Sequence, residues 1–69
     1  MNQNIKKYIA SIMSTNGYKK DVDYSVSTSC LYLSERLIPS RNKIKSSLQA
    51  AFPNVDFIWD KGNKLIWLL

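Results

Sequence analysis

Histidine is absent from the 69 residues, cysteine occurs once, and glycine and proline occur twice each. Without histidine the usual proton acceptor for a serine or cysteine nucleophile is missing, so a non-enzymatic protein is expected. Zinc sites built from several Cys and His ligands are excluded with it, and Cys30 has no partner for an internal disulfide, which fits a reducing cytoplasm. The glycines at 17 and 62 form neither a Walker sequence nor a G-x-G-x-x-G spacing, so nucleotide hydrolysis is not expected. Apolar runs are short. The longest, residues 65–69, falls far below the roughly 20 residues that span a bilayer, and the amphipathic start lacks the apolar stretch of a signal peptide.

What remains is globular. Hydrophobic residues make up 45% and charged residues 22% of the chain, too apolar a mixture for disorder. The length fits one domain over residues 1–69, in which only about 60% of the unfolded surface can be buried. Ten Lys and Arg against five Asp and Glu leave a charge of +5, which favours polyanions or an acidic protein surface as partner.

Ile5, Tyr8, Ile9, Ile12 and Met13 recur at helical spacing and predict a helix over 4–16, capped by Asn2 or Asn4 and ended by a left-handed Gly17. In 22–33, Val22, Tyr24, Val26, Thr28, Cys30 and Tyr32 alternate with polar residues, predicting one long strand. The break at Leu31 and Leu33 leaves a bulge, a strand end buried on both faces, or a hairpin at 27–29 as alternatives. Pro39 and Ser40 then open a second helix with the stripe Ile44, Leu48, Ala51 and Phe52, ending before Pro53. A hairpin follows, with Asp60-Lys61-Gly62 as loop and Gly62 at positive φ. In that register Val55, Phe57, Trp59, Leu65, Trp67 and Leu69 share the inner face.

The expected fold is therefore α+β, in the order α-β-α-β-β. A three-stranded, mainly antiparallel sheet carries two helices packed on one face, with no internal repeat. The outer face receives Asp56, Ile58, Lys64, Ile66 and Leu68, with Leu31 and Leu33 as candidates to join them, and is more aliphatic than a solvated face requires.

Candidate chemistry is sparse. Cys30 is expected as a small buried residue of the strand. Asp21 and Asp23 are expected as solvent-facing charge beside Lys19 and Lys20, and neither a metal nor another cofactor is expected. Phe57, Trp59 and Trp67 are expected in the core, whereas Tyr24 and Tyr32 suit partly wet positions.

The cations are more informative. Arg36, Arg41, Lys43 and Lys45 gather around the start of the second helix, where its dipole reinforces attraction for phosphate. Asn42, Lys43, Ser46 and Gln49 project away from the apolar stripe, and Lys61 and Lys64 make the hairpin a second basic element. A helix followed by a basic hairpin is the order of a winged-helix module, but 27–37 reads as strand where that module places a helix, and no family is assigned.

The expectation is a small basic module that binds nucleic acid, DNA first, through Arg41, Asn42, Lys43, Lys45, Ser46, Gln49, Lys61 and Lys64, with Lys6 and Lys7 adding charge. Against it stands the plain alternative that these cations solubilise a helix and a turn. A second function competes with it. The outer-face residues Ile58, Ile66 and Leu68, or an edge strand, would dock an acidic protein partner or a second copy. Small chains rich in Asn, Ser and Lys have the general look of phage or mobile-element proteins that inhibit a host factor.

Overall fold

The chain folds as α1 (Asn2–Thr15), β1 (Tyr24–Val26), β2 (Cys30–Leu33), a 3-10 turn (Glu35–Ser40), α2 (Arg41–Ala51), β3 (Asp56–Lys61) and β4 (Lys64–Leu68) in a computed structural model that describes residues 2–69. The four strands form one antiparallel sheet in the order β1-β2-β4-β3. Ile5, Ile9 and Met13 of α1 and Ile44 and Leu48 of α2 join Leu31, Leu33, Val55, Phe57, Leu65 and Trp67 in a single core. Both helices therefore cover the same sheet face. Among the described residues no helix is long and apolar enough to cross a membrane.

The first helix starts and ends for separate reasons. At its end Asn16 hands over to Gly17 at φ +77°, with the Gly17 amide donating to the Ser14 carbonyl and the Tyr18 amide to that of Met13. This is a Schellman arrangement, and only the residue at positive φ needs to be glycine. At its start Asn2 lies inside the helix rather than capping it. Its Oδ1 accepts from the Trp67 indole at 2.6 Å, and its Nδ2 donates to the Thr28 carbonyl at 2.7 Å. One side chain thus ties the helix to the sheet and gives the buried indole a partner.

Residues 22–33 form a hairpin rather than one long strand, which raises the sheet from three strands to four. Tyr24 pairs with Leu33 and Val26 with Leu31, so the inward set changes from even to odd positions across the three-residue loop 27–29. That change of parity is what broke the alternation at Leu31 and Leu33, which are core residues and not outer-face ones. The same turn leaves Cys30 half-buried on the outer face instead of in the core.

Three further expectations change. Pro39 does not hold the helix off until Ser40: it sits inside the 3-10 turn that runs directly into α2, and Ser40 makes no side-chain cap. Proline's fixed φ suits that turn. The β3–β4 connection is Gly62-Asn63, with the register shift one step earlier, between Trp59 and Lys61. Gly62 has no positive φ, which occurs at Gly17 and, among non-glycine residues, at Asp21. Leu69 lies beyond β4 and is exposed, as is Ala51, while Trp59 is half-buried.

The order α-β-β occurs twice. Reading the sheet from either edge gives an edge strand, two central strands and an edge strand, so β1 corresponds to β3 and β2 to β4. The inward pairs Tyr24–Leu33 and Val26–Leu31 match Phe57–Trp67 and Trp59–Leu65. Ile5 and Ile9 on α1 match Ile44 and Leu48 on α2. What repeats is burial at equivalent positions, not residue type.

Candidate functional site

The start of α2 and the β3–β4 hairpin meet in space. Arg41, the first residue of α2, donates from Nη1 to the Gly62 carbonyl at 2.9 Å, and its guanidinium lies 5.6 Å from the centroid of Trp59. The fork of the guanidinium suits both contacts at once, where an ammonium could not hold this geometry. Lys45 follows one turn later on the same side of α2, and Lys43 and Asn42 are exposed beside Arg41. Lys61 is exposed at the end of β3, next to the glycine that Arg41 holds.

Neither α1 nor α2 contains an acid, while together they carry Lys6, Lys7, Arg41, Lys43 and Lys45. No helix charge therefore offsets these cations. The first turn of α2 is a less open anion site than its dipole alone implies, because the Arg41 amide already bonds the Ile38 carbonyl of the preceding turn.

Two sequence-predicted contact residues are spent elsewhere. Gln49 donates from Nε2 to the carbonyls of Phe52 and Val55 at 3.2 and 2.8 Å, holding the chain where it leaves α2. Lys64 points onto the outer sheet face, 3.5 Å from Asp60 and over the Tyr32 ring at 5.5 Å. Tyr32 first, and Asp60 after it, raise the Lys64 ammonium above the ordinary lysine range. Ser46 remains exposed on α2. Arg36 bonds Asp23 instead of joining the group. Lys6 lies at the opposite sheet edge, lining a hollow of about 190 Å³ with Lys20, Tyr24 and Val26. Where a winged-helix module places a compact α-helix, this chain has β2 followed by a six-residue 3-10 helix, so 35–37 are helical rather than strand.

Among the described residues no helix covers the outer sheet face. Cys30, Ile66 and Ile58 form one cross-strand row, flanked on one side by Tyr32, Lys64 and Lys61 and on the other by Leu68 and Asp56. Ile58, midway along the edge strand β3, and Leu68, at the end of β4, are 44% and 53% exposed, high for aliphatic side chains of a sheet. Ile66 is half-buried between its neighbours.

Two arrangements escaped the sequence reading. Asp23 is buried, and its carboxylate accepts from the Lys19 amide at 2.9 Å and from Arg36 Nη1 at 3.1 Å. It organises the turn before β1 and does not stand free beside Asp21. The second is the Ser-x-x-Lys spacing at Ser40 and Lys43, legible in the sequence. The two line a hollow of about 60 Å³ with Tyr18 and Ser47. Lys43 is exposed and no hydrogen bond joins the pair, so the desolvated amine that could activate a serine is missing. No family model, curated protein or solved structure matches this chain.

Proposed function

We propose that the protein is a small nucleic-acid-binding module that grips the phosphate backbone with the start of α2 and the adjoining β3–β4 hairpin. The observation that carries this reading is the bond from Arg41 to the Gly62 carbonyl. It joins two cationic elements across 21 residues of sequence, and α2 brings no acid to the surface they share. Lys43, Lys45 and Lys61 supply uncommitted charge, and Asn42 and Ser46 supply polar contacts. Arg41 acts as a positioning residue. Because Gln49 and Lys64 are engaged within the fold, the surface is suited to backbone contact more than to reading bases.

Fluorescence anisotropy of labelled duplex and single-stranded oligonucleotides, titrated at about 50 and about 200 mM salt, tests the proposal. Binding that falls steeply with salt supports it. No binding at the lower salt overturns it. The competing protein-docking function uses the outer sheet face, through Ile58, Ile66 and Leu68, and shares with this surface the rim residue Lys61.

A further inference from the structure

We propose that the uncovered sheet face is the self-association surface of this chain, and that two copies stack face to face about a dyad running along the Cys30–Ile66–Ile58 row. The choice of a second copy as occupant rests on charge. The face and its hairpin rim carry Asp56, Asp60, Lys61 and Lys64, two anions and two cations, so the whole +5 of the chain lies elsewhere. An acidic partner would find no net attraction here. Two copies can approach by this side with the acid-free, cationic helices turned outward.

The charges are also placed for self-pairing. Asp56 sits in the row on one side of the central isoleucines, and Lys61 and Lys64 sit in the row on the other. A dyad in the plane of the interface and perpendicular to the strands exchanges those two rows. Asp56 of each copy then faces Lys61 of the other, Leu68 packs beside Tyr32 and Lys64, and Ile58 and Ile66 meet their own counterparts. An isologous interface makes each such contact twice. Face-to-face packing of two sheets at about 10 Å leaves room for these side chains to interdigitate.

The patch is small. Three strands and five residues of length give a footprint of roughly 14 by 17 Å, well below the about 800 Å² per partner of standard stable complexes. A weak dimer follows, whose population depends on protein concentration.

Sedimentation velocity from about 10 µM to about 1 mM protein, without nucleic acid, reads the association independently of the proposed function. The expected result is a monomer–dimer equilibrium abolished by Ile66→Asp. Ile58→Asp, at a more exposed edge position, serves as the decisive variant if Ile66→Asp unfolds. Asp56→Lys and Lys61→Asp should each weaken the dimer on the order of tenfold, because each acts at two symmetric contacts. The double swap should restore it. A short bismaleimide should link Cys30 to Cys30 in the dimer. A monomer at every concentration, or a dimer indifferent to both aspartate variants and both charge swaps, would overturn the proposal.

Discussion

Replacing Lys43 and Lys45 together by alanine should change the salt dependence of nucleic-acid binding by an amount that follows from the side chains left free. Arg41 is engaged by Gly62 and Trp59, Lys64 by Asp60, and Gln49 by two backbone carbonyls. Three lysines remain, Lys43, Lys45 and Lys61. Each phosphate neutralised on duplex DNA contributes about −0.9 to the slope of log K against log salt, so the native protein should show a slope of about −2.7. Affinity then falls about 40-fold between about 50 and about 200 mM salt. The double variant keeps one lysine, with a slope of about −0.9 and a loss of only about three- to fourfold. Neither side chain belongs to the core, so circular dichroism and the melting temperature should barely move. Lys20→Ala, at the opposite sheet edge, should leave the slope unchanged and serves as control. Equal slopes for the double variant and the native protein would refute the assignment of Lys43 and Lys45 as phosphate contacts, and a native slope shallower than about −1 would refute the three-lysine surface.

Three further outcomes follow from the fold. Asp23→Ala leaves the Lys19 amide and Arg36 without their acceptor and should cost about 1.5–3 kcal/mol in urea unfolding, whereas Arg36→Ala, at a largely exposed side chain, should cost no more than about 1 kcal/mol. An equal loss in both would contradict the assignment of Asp23 as the buried organiser of its turn. Gly17→Ala forces a side chain into the left-handed region at φ +77° with open space around it, so the cost should be about 1–2 kcal/mol from backbone strain alone, and Gly17→Asn should recover much of it. Burial first, and the Asp21 charge second, raise the Tyr24 phenol above 10.0. Its folded-state stability contribution is therefore complete below the unfolded value and is lost as pH rises through the folded one. Alkaline unfolding monitored by tyrosinate absorbance should begin above about pH 10 and be delayed in Tyr24→Phe; an unchanged profile would refute this.

Helix positions were legible because a 3.6-residue period over ten or more positions is a local property, and Ile5, Ile9, Met13, Ile44 and Leu48 are the buried residues it singles out. The left-handed Gly17 was legible as a helix-ending glycine, and the inward set Val55, Phe57, Leu65 and Trp67 from two-residue alternation, both of them local signals. The outer-face group Ile58, Ile66 and Leu68 followed from the same alternation and lies where the parity put it. The hairpin at 27–29 was harder, because a change of parity at Leu31 and Leu33 is equally consistent with a bulge until a neighbouring strand supplies partners. Its second strand pairs with β4, more than 30 residues away, and local pattern has no access to that.

What the sequence determines by itself is the local conformation of each segment, the side of it that is apolar, and the cationic character of α2 and the hairpin, since these depend on neighbours within a turn or two. Only the tertiary structure decided how those cations are used. Arg41 and Gln49 have the composition of a binding surface, yet Arg41 is committed to the fold by Gly62, 21 residues away, and Gln49 by the carbonyls just past the end of α2, and Asp60 and Tyr32 claim Lys64. The repeated α-β-β order was hidden for a similar reason. The two halves share burial and strand pairing but not residue type, and a sheet can match Tyr24 and Leu33 to Phe57 and Trp67 because packing selects for volume and polarity at a position rather than for identity.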